Sequence, residues 1–298
     1  MGRALLAPDI EAGPKHPVGS LIFREQFSSA QSTSLLADCW ATDFEKSPPI
    51  RRVAAYKGQR NFAGLWWFVS TQEHVGFESW LEHDHLIRLD FDPSVAGIAS
   101  QPFSIKLPQL LPQTWHVPDY FVRQVDGTVV VLGIRPDAKV TAEDQLVFDA
   151  SANLCTTVGW KYYRLGDLTG VGRANRYWLA GYRHPRCHSQ ATANAALKHL
   201  LNEGPCTIRN LSCVLGDPVL VLPTIFHLIW CQKIVVDLDF HLLSLQSSLR
   251  ERMLGTTTEA LPFQDVDVLE RRKFLTCPKW IRCLAEYSAL ERIEANEI

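Results

Sequence analysis

The sequence predicts a mixed α/β chain: a mixed sheet flanked by helices, followed by a smaller α+β unit toward the C-terminus. Three observations carry this. Two apolar, β-forming runs at 117–123 and 128–135 flank the tight-turn dipeptide Asp126-Gly127, the pattern of a buried hairpin. Apolar or aromatic positions spaced by four, at Phe77, Leu81, His85 and Leu89 and again at Leu146, Ala150, Leu154 and Val158, mark a helix on each side of that hairpin. Beyond His184-Pro185-Arg186 the pattern changes to three short helices and a small pair of strands.

Taken in order, residues 1–32 have few periodic apolar positions and several Pro, Gly and Ser, so 1–48 reads as a partly irregular leader. Two β-rich runs within 50–70 surround the polar Lys57-Gly58-Gln59-Arg60 and predict a hairpin. A helix follows over 71–90 and stops at Asp92-Pro93. One strand is expected from Val95 through Gln101-Pro102 to Ile105, and another over 116–123. The strand at 128–135 is nearly all apolar, hence central, and Pro136-Asp137 ends it. A helix at 141–157, a strand at 160–165 and a helix at 170–182 complete a domain spanning 49–186. Helices at 190–202, 206–215 and 218–232, then paired strands at 234–239 and 242–245, give a winged-helix-like α+β domain at 187–250. Residues 251–298 read as a charged helical tail.

The chain has 298 residues, 46% of them hydrophobic, and a net charge of −2. A core of useful size can form. The charge balance gives no global attraction to nucleic acid, so a DNA-binding surface must be local. The candidate is the tract Arg173, Arg176, Arg183 and Arg186. The eight cysteines make no CxxC pair and sit among apolar neighbours, as reduced, buried thiols do. The longest apolar stretch, 219–230, contains Pro223 and His227 and is too short for a bilayer, and the N-terminus lacks a secretory pattern. A soluble, cytoplasmic protein without membrane contact is expected. His83, Asp84, His85 and Asp90 fall on different helix faces and read as surface residues. His227 reads as a core histidine, and Trp66, Trp67, Trp80 and Trp178 as core aromatics.

One constellation carries chemistry. Pro118-Asp119 opens an apolar strand, the next strand ends in Arg135, and antiparallel pairing brings Asp119 near 133–135. Glu82 lies on the preceding helix, with Glu78 four residues earlier. One helix carboxylate, one strand carboxylate and a cation suit metal-dependent phosphodiester cleavage. Mg²⁺ prefers hard oxygen ligands, and a cation offsets the charge of the transition state.

The run Phe77-Glu78-Ser79-Trp80-Leu81-Glu82, then Leu89 to Val95, then Ala99-Ser100-Gln101-Pro102-Phe103, resembles the start of the TnsA-type transposon endonuclease domain, of the PD-(D/E)XK nuclease superfamily. So does His116-Val117-Pro118-Asp119-Tyr120-Phe121 with the strand leading into Arg135-Pro136. The resemblance covers about residues 50–180, and the winged-helix segment fits the family's plan more loosely. It implies a PD-(D/E)XK core, Glu82, Asp119 and Arg135 as catalytic residues, and Mg²⁺ (or Mn²⁺) held by Glu82, Asp119 and the backbone carbonyl of Ile134. It places Glu78, Gln101 and Gly133 as supporting positions. It further implies transposon-end DNA as substrate and a DDE transposase (TnsB-like) and an AAA+ ATPase (TnsC-like) as partners.

The sequence departs from the family at two points. Gly133 stands where an acidic residue or Gln is usual, and Arg135 where Lys is usual. Arg keeps the charge but is no base near neutral pH. Three readings follow: an active endonuclease subunit, a TnsA-like DNA-binding or assembly subunit with an eroded site, and a stand-alone restriction-type nuclease. Gly133→Asp is the rescue test for an eroded site, and the Asp137-Ala138-Lys139 triplet is expected to lie past the strand end.

Overall fold

The structure, a computed structural model, describes residues 18–26, 30–51, 62–108, 111, 114–168 and 170–252. The polar turn at 57–60 and the tail beyond 252 lie outside the described residues. The elements are β1 (Ser20–Arg24), β2 (Gln31–Leu35), β3 (Gly64–Phe68), β4 (Glu73–Phe77), α1 (Trp80–Phe91), β5 (Val95–Ser100), β6 (Phe103–Lys106), β7 (Trp115–His116), β8 (Tyr120–Gln124) and β9 (Val129–Ile134). They continue with α2 (Ala142–Thr156), β10 (Lys161–Leu165), α3 (Gly170–Leu179), α4 (Gln190–Glu203), β11 (Cys206–Thr207), α5 (Ile208–Leu215), α6 (Pro218–Trp230), β12 (Ile234–Val235) and β13 (Ser248–Glu251). The chain is mixed α/β, with several sheets and six α-helices among the described residues.

The sheet that carries the candidate site runs β10-β9-β8-β5. β5, β8 and β9 are antiparallel, with Tyr120 opposite Leu132. β10 joins β9 in parallel, with Tyr162 opposite Val131. A parallel neighbour needs a crossover, and α2 supplies it. Its first turn is closed by a capping box between Thr141 and Asp144. β9 is buried from Val129 to Gly133, as its apolar run predicts for a central strand.

A second sheet, β2-β1-β6-β7, shares its core with the first. Leu21, Phe103, Phe121, Val131, Val147 and Trp160 form one cluster around Phe44. The Phe44 ring lies 5.0 Å from Phe103, 5.6 Å from Phe121 and 5.9 Å from Trp160, each in edge-on geometry. From Val18 onward the expected leader is therefore structural: β1 pairs with both β2 and β6, and Leu21, Leu36 and Phe44 are buried. Its single apolar residues, too sparse to show a period, are used by a core assembled from distant strands.

Four further expectations are corrected. Residues 73–77 are strand β4, paired with β3 through a turn in which Gln72 has φ +56°, and the helix starts only after Ser79. Phe77 matched the helical spacing by coincidence, and the Ser79 cap sets the start. The expected strand 95–105 breaks at Gln101-Pro102 into β5 and β6, which belong to different sheets. The expected strand 116–123 breaks likewise at Pro118, whose missing N–H cannot continue a ladder. Finally, β12 pairs with β13 at 248–251 rather than with 242–245. Asp237 Oδ1 accepts from the N–H groups of Asp239 and Phe240, which turns the chain away from a strand.

The C-terminal elements follow the order α4, β11, α5, α6, β12, β13, with the small sheet ordered β11-β13-β12. They are tied to the preceding elements by hydrogen bonds. Gln232 Nε2 donates to Phe91 O at 2.8 Å, and Asn175 Nδ2 donates to the carbonyls of Leu238 and His241 at 2.8 Å. Among the described residues no helix is long and apolar enough to cross a membrane.

Candidate functional site

Asp119 sits where the two main sheets diverge. Its N–H donates to Leu132 O at 2.9 Å, extending the β8–β9 ladder, and its own carbonyl accepts from Gln101 N at 2.9 Å. Its side-chain Oδ2 accepts from Ile134 N at 2.5 Å. The carboxyl is thus fixed at the C-terminal end of β9 by a backbone group that the hairpin register brings to it.

Glu82 reaches the same place from the first turn of α1. Ser79 is the N-cap, accepting from Glu82 N at 3.2 Å. The Glu82 carboxylate turns back to the helix head, where Oε1 accepts from Ser79 Oγ at 2.8 Å and Oε2 from Glu78 N at 2.7 Å. This is capping-box chemistry, displaced by one residue at the backbone donor. It fixes the Glu82 rotamer and leaves the side chain buried at 8% exposure.

Three further groups complete the network. Gln101 Nε2 donates to Glu78 Oε1 at 2.9 Å, Arg51 Nη2 donates to Glu78 Oε2 at 3.0 Å, and Arg51 Nε donates to Gln101 Oε1 at 2.8 Å. Gln101 is buried and has φ +48°, a region a side chain rarely adopts. Its backbone is clamped on both sides, by Asp119 O and by Ile50 N. Such strain persists only where surrounding contacts over-determine it, and it clusters at functional sites.

The electrostatics follow from this crowding. Burial first, and the charge of Glu82 second, push the Asp119 carboxyl up to about 8, against the pull of the Ile134 N–H. Glu82 is also raised, first by burial, with Glu78 adding repulsion and the Glu78 N–H and Ser79 hydroxyl opposing it. Their titrations belong to the pair. Arg51 is the cation whose charge lowers both. Beneath them Tyr120 donates to Gly76 O at 3.0 Å, and its hydroxyl is held protonated by burial and by the same carboxylates.

The structure thus brings together Glu82, Asp119, Glu78 and Gln101 as expected, and adds Arg51. It does not bring Arg135 to them. Arg135 Nη2 bonds Asp144 Oδ2 at 3.2 Å at the head of α2, with the side chain 45% exposed. The aspartate that caps α2 thereby draws the guanidinium outward. Ile134 meets Asp119 through its N–H. Gly133 is closely covered, since a Cβ there would lie 2.4 Å from Tyr162 Oη. Gly133→Asp therefore requires the Tyr162 side chain to move before a carboxylate can stand there. The Asp137-Ala138-Lys139 triplet lies past β9, as predicted, where Asp137 Oδ1 accepts from Arg164 Nη1 at 2.7 Å.

The arginine tract does not form one solvent-facing stripe. Arg176 pairs with Asp239 at 2.7 Å with its side chain largely covered. Arg183 stacks 4.0 Å over the Trp66 ring and donates to Ala180 O. Arg173 pairs with Asp84 at 3.2 Å but stays exposed, and Arg186 is exposed.

The neighbouring histidines are not surface residues. His83 is enclosed by Trp66, Phe77, Trp80 and Tyr177, and His85 bonds Gly166 O at 2.8 Å. Asp90 is buried, bonded to Trp66 Nε1 and Val69 N, and its carboxyl is pushed up to about 6 by burial. His83 and Asp90 fill the spaces between α1, the β3–β4 hairpin and α3, and His85 the space toward the segment after β10. His227 is buried as expected and bonds Tyr182 O. Trp80 and Trp178, expected in the core, are 55% and 47% exposed. Among the described residues all six cysteines are free, with Cys213 and Cys231 exposed.

Two residues of the site, Arg51 and Tyr162, escaped the sequence reading. Arg51 reaches partners 27 and 50 residues away, so no local pattern announces it. Tyr162 could be found only from the parallel register of β10 on β9. No family model matches the chain, and no curated protein does.

Proposed function

We propose that this protein is a metal-dependent DNA endonuclease of the TnsA kind, one subunit of a heteromeric transposase that hydrolyses phosphodiester bonds at transposon ends. The observation that carries the proposal is the convergence of Glu82 and Asp119, one from the capped head of α1 and one from the head of β8, close enough for one charge to raise the other. The sheet β10-β9-β8-β5 with α1 and α2 supports a PD-(D/E)XK reading of the core. The α4-β11-α5-α6-β12-β13 order supports a winged-helix reading of the C-terminal part. A DDE transposase and an AAA+ ATPase remain the partners that the resemblance implies.

The residues fit Mg²⁺ in kind. The donors are oxygens, and three carboxylates, Glu78, Glu82 and Asp119, share one guanidinium, an excess of negative charge that a divalent cation would neutralise. They fit less well in number. Position 133 gives no carboxylate, and among the described residues no three His, Cys, Asp or Glu side chains converge as a ligand set. Glu82 and Asp119 would hold the ion, which when bound supplies an activated water and offsets phosphate charge. Arg51 and Gln101 fix Glu78 beside the pair, and the Ser79 cap fixes the Glu82 rotamer.

The second reading, an assembly subunit with an eroded site, is favoured by the Arg135–Asp144 pair and by the cap role that Glu82 already fills. A nicking assay on transposon-end and supercoiled DNA, with Mg²⁺ or Mn²⁺ and with and without the transposase, decides among the readings. The proposal expects partner-dependent nicking that Glu82→Ala and Asp119→Ala each reduce at least about a hundredfold, the scale of removing a metal-site group. Nicking that survives both substitutions sinks the site assignment. Cleavage without any partner selects the restriction-type reading, and inactive wild type selects the assembly subunit.

A further inference from the structure

We propose that the hydroxyl of Tyr162, from β10, takes the place of the side chain that residue 133 lacks and is the third polar group of the carboxylate site, a neutral donor to a water or phosphate oxygen held there. The inference rests on reading Glu82 and Asp119 as a cation-binding pair.

Sheet register makes the substitution possible. β9 and β10 are parallel, Tyr162 stands beside Val131, and Val131 and Gly133 share a face of β9. Tyr162 is long enough to reach one step along that face. Its Oη lies 2.4 Å from where a Cβ of residue 133 would be, and its Cζ 3.4 Å. A side chain at 133 and a hydroxyl at 162 therefore exclude each other. The backbone at 133 has an ordinary conformation, so glycine is required there by this contact and not by φ.

The ring is fixed in place. Phe148 lies against it, with centroids 6.5 Å apart, and His116 Nε2 is 3.3 Å from Oη. Burial keeps His116 neutral, at about 4, and with its proton on Nε2 the ring donates to Tyr162 Oη and leaves the phenol hydrogen free. Asp119 also lies close enough for its charge to act on the Tyr162 hydroxyl. An ordinary phenol stays protonated near neutral pH and donates one hydrogen bond. The site has thus exchanged a charged ligand on the central strand for a neutral donor on its neighbour.

The packing claim is tested with Gly133→Ala, Tyr162→Phe and the double variant, read by thermal unfolding without metal. Gly133→Ala is expected to lower Tm by several degrees in the wild-type background. With the hydroxyl removed, the nearest ring atom is at an ordinary contact distance, so the same change becomes neutral or slightly stabilising. Equal losses in both backgrounds overturn the exchange. The binding claim is tested by Mn²⁺ titration followed by electron paramagnetic resonance. Tyr162→Phe, with its fold intact, should weaken Mn²⁺ about five- to tenfold, the scale of one hydrogen bond. Gly133→Asp/Tyr162→Ala, which has room for a carboxylate, should bind more tightly than wild type. Unchanged affinity in Tyr162→Phe overturns the role of Tyr162 alone. A wild-type protein that binds no Mn²⁺ overturns the nuclease reading and this role with it.

Discussion

Asp119→Asn should make the metal-free protein less sensitive to alkaline pH. In the folded state burial and Glu82 raise the Asp119 carboxyl to about 8, against about 4 for an unfolded aspartate. The folded chain therefore holds a proton that the unfolded chain releases. The stability this confers is complete below about pH 4 and is lost as pH rises through about 8. One differentially bound proton changes stability by about 1.4 kcal/mol per pH unit. Between pH 6 and 8, with half-titration at the upper end, the loss comes to roughly 2 kcal/mol. For a chain of this size that is about 3–4 °C in Tm. Asn preserves the acceptor for Ile134 N and removes the proton that Asp119 holds in the folded state. Denaturant unfolding in a chelator at pH 6, 7 and 8 measures the effect. Asp90, raised to about 6, titrates in both proteins and cancels in the comparison. Parallel stability curves for wild type and Asp119→Asn would refute the coupled, buried pair and with it the site.

Arg51→Ala should lower Mn²⁺ affinity and nicking about tenfold or more by freeing Glu78 and Gln101, whereas Arg135→Ala should change nicking less than about threefold and cost at most about 1 kcal/mol, as expected for an exposed ion pair. Equal effects of the two would return the cationic role to Arg135. At acid pH burial lowers His85 to about 4, so its contribution is complete above about pH 6.5 and is lost as pH falls toward 4. His85→Gln, which keeps a donor for Gly166 O, should remove roughly 2 kcal/mol of the loss between pH 7 and 4.5, measured by unfolding across that range.

Much of the site was legible because its parts are local. Pro118-Asp119 before an apolar run opens a strand, and Glu82 lies on the helix expected before it, although the Ser79-to-Glu82 signature starts that helix later than the expected 71. The hairpin around Asp126-Gly127 then sets Asp119 beside Ile134 by counting residues, and that pairing is observed. What failed were inferences that treated a run of residues as belonging to one surface. The stretch 95–105 reads as one strand, yet Gln101 turns it from one sheet into another. His83 and Asp90 of α1 read as surface residues, yet the β3–β4 hairpin and α3 cover them.

The sequence by itself determined the α/β class, the central apolar strand and the two carboxylates, because each depends on spacing within one element or one hairpin. Only the tertiary structure decided which cation and which hydroxyl stand beside those carboxylates. Arg51 arrives from 50 residues before Gln101, and Tyr162 through a parallel pairing that its own strand does not encode. Arg135 has its predicted place on the chain but not in space, because a cap on the next helix offers its guanidinium a nearer carboxylate. Charge acts through space, and the distances that govern it are set by packing rather than by sequence separation.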